Sequence, residues 1–254
     1  MPRRQKESYS IQSVEHALDL LEALSEAEEE VRIAQLSEQL GMNKTSIFRL
    51  LATFANRGYV EKEEKSGKYR LGFSAFETGQ KLLSRMGLLR TAKPVIEKLA
   101  RACDEALYLA VPHATEILLL DMVDTMQQVK IIPLLGQRFP ITGTSAGQVI
   151  LAHSPSHLKA CTGKIPESLT AELPKIAEQG YCIESGDFGE GIASLAVPLL
   201  NAEKKVLGSL CLIGPEFRLT REKIETQLLP QLQDAGIIVS SKLGYVGYFI
   251  DRRL

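Results

Sequence analysis

Lys44, Thr45, Ser46, Phe48 and Arg49 stand close together in a stretch that has no Asp or Glu between Asn43 and Gly58. Two cations, two hydroxyls and a ring at the start of a helical pattern suit contact with phosphate oxygens and base edges. Arg57 adds a third cation, and a helix start adds positive partial charge of its own. An ordinary pair of packed helices is the alternative for this stretch alone.

The elements that must position these residues are legible on either side. Ile33, Leu36 and Leu40 have helical spacing, and Gly41 stops that helix. Asn43 is a candidate N-cap for a second helix. Ile47, Leu50, Leu51 and Phe54 form its apolar stripe, and Gly58 closes it. Two short helices around a tight turn containing Gly make a helix-turn-helix. Tyr59-Val60 and Tyr69-Arg70-Leu71 flank a polar loop with Gly67, which predicts a β-hairpin and so a winged helix. Lys65, Lys68 and Arg70 on this wing are candidates for phosphate contact. Upstream, Ile11–Ala27 reads as a helix with Val14, Ala17, Leu18, Leu21 and Leu24 as its stripe and Ser13 as its cap. Pro2–Tyr9, with Arg3, Arg4 and Lys6, reads as a solvated arm.

A second place where chemistry is possible begins at Thr142. Thr142, Gly143, Thr144, Ser145, Ala146 and Gly147 are small residues leading into Val149-Ile150-Leu151. They form either a seat for a carboxylate or phosphate on exposed N–H groups or a plain capped helix start. Strand alternation puts Leu207, Ser209, Cys211 and Ile213 on one face, and Ile192, Ser194 and Ala196 on another. If both faces look inward, they floor an apolar pocket with a few polar atoms, the usual design of a small-molecule site. Plain core is the alternative.

The rest of the chain sets limits. Its 254 residues, 44% hydrophobic with a net charge of −1, suit one large or two smaller globular domains. No global charge argues for nucleic acid, so a DNA-binding face must come from charge placement. The acids of the N-terminal part cluster at Glu26–Glu30 and Glu61–Glu64, away from the second helix. No apolar leader or membrane-length apolar run is present, and the expected location is the cytoplasm. Cys103, Cys161, Cys182 and Cys211 are scattered, which suits reduced thiols. His153 and His157 are four apart, but Pro155 intervenes, so no metal is expected. No HExxH or P-loop is present, and Cys182 and Cys211 have no His close in sequence, so an enzyme is disfavoured. A cysteine-based redox sensor is the remaining alternative function.

Phe73–Lys98 reads as helical and apolar on more than one face, divided by Gly87 or Pro94. Beyond it, strands are expected at Leu107–Val111, Ile117–Asp121, Val129–Pro133, Ala193–Pro198 and Val206–Ile213. Helices are expected at Ser145–Ala152, Pro155–Ala160, Leu169–Gln179 and Thr220–Leu243. Strands, then helices, then strands predict an α+β domain on an antiparallel sheet.

Several phrases together resemble the IclR family of bacterial transcriptional regulators. Ser10–Leu21 resembles the family's opening phrase. Leu36–Leu51 resembles its L-A-x-x-L-G-L-x-K-S-T-[VI]-x-R-L-L, and Lys68–Gly72 its wing. Arg138–Ala152 resembles R-x-P-L-x-x-[ST]-A-x-G-[KR]-A-[IL]-L-A. Gly180–Pro198 and Val206–Pro215 resemble its later phrases. The resemblance implies a winged helix-turn-helix over residues 10–72, a linker helix over 73–90, and a GAF/PAS-like α+β effector-binding and oligomerisation domain over 91–254. It implies double-stranded operator DNA as partner, a homodimer with a homotetramer also allowed, a repressor or an activator, and no cofactor. Effector contacts would fall at Phe139, Ser145, Ala146, Glu184, Ser194, Cys211 and Ile213. Gln148 replaces the family's basic residue. Cys211 and Ile213 replace hydroxyls that suit very small oxo-acids. A larger, more apolar effector is therefore expected: an organic carboxylate, aromatic or of medium chain length.

Overall fold

Asn43 starts the helix that carries the DNA-binding candidates: its Oδ1 accepts from the Ser46 N–H at 2.8 Å. The cap leaves the Lys44 and Thr45 side chains free at the helix tip. Replacing Asn43 by Ala is expected to cost about 1 kcal/mol in urea denaturation. The structure is a computed structural model that describes residues 10–27, 29–161 and 165–247, so the arm expected at Pro2–Tyr9 lies outside it. The chain divides into two units, the first ending at Arg85 and the second beginning at Met86.

The first unit contains α1 (Gln12–Glu26), α2 (Ile33–Gln39), α3 (Lys44–Asn56), β1 (Val60–Lys62), β2 (Tyr69–Leu71) and α4 (Phe73–Arg85). Gly41 takes a φ of +64° between α2 and α3, as its role as a stop requires. β1 and β2 pair antiparallel, with Lys62 opposite Tyr69, and Val31 bridges to Tyr69 from the other side. Leu20, Ala23, Leu24, Leu36, Ile47, Leu51, Val60 and Tyr69 make the core. The helical period of α1 fits two overlapping stripes, and the core takes the one through Leu20, Ala23 and Leu24. Val14 and Leu18, expected inside, are 50% and 49% exposed. The helix also begins one residue before the expected Ser13 cap, with Ile11 at the cap position.

The helix expected over Phe73–Lys98 is two helices. The break falls at Met86, and α5 spans Gly87–Cys103 with Pro94 inside it. Pro94 and Arg90, four residues earlier, are both exposed, so water can serve the carbonyl that proline leaves unpaired. The second unit continues with β3 (Ala106–His113), β4 (Glu116–Val123), β5 (Arg138–Pro140), α6 (Ser145–Ala152), α7 (Pro155–Ala160), α8 (Glu167–Gln179), β6 (Cys182–Ser185), β7 (Ile192–Leu200) and β8 (Val206–Pro215). It closes with α9 (Arg221–Lys223), a π-helical turn at Ile224–Leu228, and α10 (Leu229–Lys242).

The strands form one antiparallel sheet in the order β5-β4-β3-β8-β7-β6. One face packs on α5 and α10 through Ile96, Leu107, Leu109, Leu195, Leu210, Leu212, Leu232 and Val239. The other packs on α6 and α8 through Tyr108, Ile117, Val149, Ile150, Leu173, Ala196, Cys211 and Ile213. A winged helix-turn-helix followed in the chain by an α+β domain matches the expected fold class. The strand expectations differ in three places, the first being β6 (Cys182–Ser185), which falls where none is expected. Val129–Pro133 is irregular, and the edge strand lies instead at Arg138–Pro140. Leu207 packs on the α5–α10 face rather than with Cys211. A register shift at Leu199/Leu200 interrupts the alternation of β8 near its start. Among the described residues no helix is long and apolar enough to cross a membrane.

Candidate DNA-binding face and effector pocket

α3 turns its tip outward. Lys44, Thr45 and Arg49 are exposed, Ser46 is half-buried through its cap contact, and Phe48 is 52% exposed although Ile47 beside it is fully buried. No acid pairs with Lys44 or Arg49 among the described residues. A cleft runs between the starts of α2 and α3 and the wing turn, lined by Arg32, Ile33, Lys44, Thr45, Phe48 and Ser66. Two helix N-termini meet there, and both favour negative charge. Arg32 and Ser66 were not legible as site residues, because only the folded turn brings them beside Lys44.

The wing cations sit differently. Arg70 lies 3.1 Å from Glu61 and 3.5 Å from Glu30, and Lys68 lies 4.0 Å from Glu29. These pairs are largely exposed and worth little, but a phosphate would have to compete with them. Lys65, near the wing turn, is exposed.

In the second unit the expected effector residues converge where α6 meets the sheet. Thr144 caps α6 by accepting from Gly147 N–H at 3.1 Å. Ser145 Oγ lies 2.6 Å from Ser194 Oγ and 3.7 Å from Cys211 Sγ. Ser194 stands opposite Ile213 and Glu184 on the neighbouring strands. Ser145, Ala146, Ser194, Cys211 and Ile213 are all fully buried. Phe139 meets Phe188 edge to face, with ring centroids 4.9 Å apart.

Asp187 is the residue that sequence reasoning missed. Its Oδ2 accepts from Ser145 N–H at 2.9 Å and from Ser194 Oγ at 2.6 Å. The seat expected for an external anion at the start of α6 therefore holds a carboxylate of the chain itself. Asp187 Oδ1 is buried and meets no hydrogen-bond partner among the described residues. Burial pushes the Asp187 carboxyl above the usual range, against the bonds from Ser194 and Ser145. Glu184 is also pushed up, first by burial, with like charge on Asp187 and Glu172 adding to it. A hydrogen bond from Gln148 works against the rise at Glu184, and Gln148 Oε1 accepts from Cys182 Sγ at 3.3 Å.

The thiols are poor nucleophiles here. Burial raises Cys182 and Cys211 well above the ordinary thiol range, and neighbouring carboxylates raise them further. His153 and His157 bond to Val149 O and Ser154 Oγ. Among the described residues no group of His, Cys, Asp and Glu could hold a metal.

A winged helix with a free cationic helix tip, followed by a sheet that buries hydroxyls and a thiol behind a helix start, is the plan of a DNA-binding regulator. The chain belongs to the IclR family of bacterial transcriptional regulators: the IclR helix-turn-helix domain matches residues 13–64, and the bacterial transcriptional regulator IclR C-terminal domain matches residues 80–241. Two regulators of Escherichia coli (strain K12) are among its relatives. KdgR is 29% identical, over 96% of this chain and 97% of its own, and XynR is 27% identical, over 92% and 98%. An IclR homolog from Microbacterium hydrocarbonoxydans, solved in complex with 4-hydroxybenzoate, shares the fold with a TM-score of 0.78 at 20% identity, over 91% of this chain and 98% of its own.

Proposed function

We propose that this chain binds operator DNA through the start of α3 and senses a small organic carboxylate in the second unit, with no catalytic step. The observation that carries the reading is the tip of α3: Lys44, Thr45 and Arg49 are exposed, no acid pairs with either cation among the described residues, and Lys44 and Thr45 line a cleft between two helix starts. Lys68 and Arg70 are proposed as weaker phosphate contacts. DNA binding is assigned to residues 10–72, effector sensing and assembly to residues 91–254, and the place of action is the cytoplasm. A homodimer, or two dimers in a tetramer, is supported by the exposed apolar residues Ile11, Val14 and Leu18 on or beside α1 and Phe73 and Phe76 on α4. The raised thiols count against the enzyme and redox alternatives.

The test of the DNA half uses fragments selected from a random-sequence pool by the wild-type protein. Arg49→Ala is expected to weaken binding by about 1–3 kcal/mol if Arg49 reads a base pair. Unchanged affinity removes Arg49 from the interface. The effector half is tested by thermal shift against a panel of small carboxylates and aromatic acids. A ligand at about one hundred times its Kd adds roughly 2.7 kcal/mol to the native state, and Ser194→Phe is expected to abolish the rise. A hit that survives Ser194→Phe places the ligand elsewhere.

A further inference from the structure

We propose that Asp187 and Phe188 are a tethered stand-in for the effector, and that an aromatic monocarboxylate enters the site by taking their place. The inference rests on the carboxylate reading above and adds what holds the site closed. Side by side, these residues present a carboxylate and an aromatic ring. The carboxylate is bound by the first N–H of α6 and by the buried Ser194 hydroxyl. The ring is packed edge to face on Phe139. A carboxylate next to a ring is the composition of an arylcarboxylic acid.

Two donors, Ser145 N–H and Ser194 Oγ–H, serve this carboxylate. Ser194 gives its one proton to Asp187, so Ser145 Oγ must donate to Ser194 across their 2.6 Å contact. An external carboxylate in the same seat would receive the same bonds. The stand-in is held at a cost. Among the described residues no cation pairs with Asp187, and its second oxygen is buried without a hydrogen-bond partner. Moving to water would restore full hydration to that oxygen, while the incoming acid remakes the two bonds that Asp187 gives up. The segment is bracketed by Gly186 and Gly191, both in the left-handed region at φ +82° and +73°, where glycine lets the backbone turn without strain. Withdrawal of Asp187 would draw Phe188 off Phe139 and open space for a ring. A tethered occupant lowers the apparent affinity of an external ligand by the fraction of time it holds the seat.

The test is a thermal-shift titration of the full-length wild type, Asp187→Ala and Asp187→Asn with sodium benzoate and sodium formate, at ionic strength held constant with chloride. Asp187→Ala is expected to respond to benzoate at about ten-fold lower concentration than wild type, and to gain a response to formate that wild type lacks. Asp187→Asn, with a neutral and weaker occupant, is expected to fall between them, and it carries the test if the alanine variant does not fold. If the variants need more benzoate than wild type, Asp187 contacts the ligand instead of competing with it, and the proposal fails. It fails too if neither variant responds to either acid. Benzoate binding without any change in operator affinity leaves the stand-in intact and overturns only the carboxylate-effector reading.

Discussion

Gly147→Ala is expected to destabilise the second unit by about 3 kcal/mol, at the upper end of what overpacking costs. A Cβ built at Gly147 would lie 2.1 Å from Ile141 O, 2.6 Å from Ile141 C and 2.7 Å from Ile141 Cα. All three are backbone atoms, so no side-chain rotation relieves the clash. Either α6 or the segment after β5 must shift. The same contact sets the height of Ser145 and Ala146 above β7 and β8, so the seat for the carboxylate should be lost with it. Urea denaturation measures the first effect and the acid titration the second. Gly143→Ala is the control: its Cβ would meet nothing closer than 3.8 Å, so its effect should stay within about 0.5 kcal/mol. Equal losses in the two variants would show that close approach at Gly147 is not what matters.

The contrast between Gly147 and Asp187 marks how far the sequence could be read. Local signals carried the head of the molecule. Gly41 ends a helix and Asn43 caps the next, and each acts on the backbone within four residues of itself. The start of α6 was legible in the same way, as a run of small residues. What fills its seat was not. Asp187 reaches Ser145 from a loop 42 positions away in sequence, and nothing in its own neighbourhood announces that reach. The failed strand at Val129–Pro133 has the same cause. Its apolar residues suit a strand, but long-range side-chain bonds fix the segment as a loop. Asp104 accepts from Thr125 Oγ1, Met126 N–H and Gln127 Nε2, and Arg218 donates to Val129 O. Leu207 was misplaced because period-two alternation holds only until a register shift, and shifts are set by the partner strand. In α1 the period was right and the face was wrong, since Val14 and Leu18 are as apolar as the residues that went inside.

Glu105→Gln is expected to cost about 3 kcal/mol, near the lower end of what breaking a buried ion pair costs. The Glu105 side chain is fully buried just before β3, and it accepts from Arg218 Nε at 2.8 Å and from Lys223 Nζ at 2.8 Å. One acid thus ties the sheet to the turn after β8 and to the first turn of the closing helix. Through Arg218, which also holds Val129 O at 2.7 Å, it ties in the loop after β4. Glutamine keeps the volume but offers one neutral acceptor to two cations. Some charge is still hydrated, because the Arg218 and Lys223 side chains are 14% and 29% exposed. That residual hydration is why the lower end applies. A double-mutant cycle separates this from simple loss of packing. Once Glu105 is Gln, Arg218→Ala should cost at least about 1 kcal/mol less than it does in wild type, since residues in one ion-pair network couple by about 0.5–3 kcal/mol. Additive losses would mean that Arg218 holds the loop through Val129 alone, and that Glu105 serves only to satisfy Lys223.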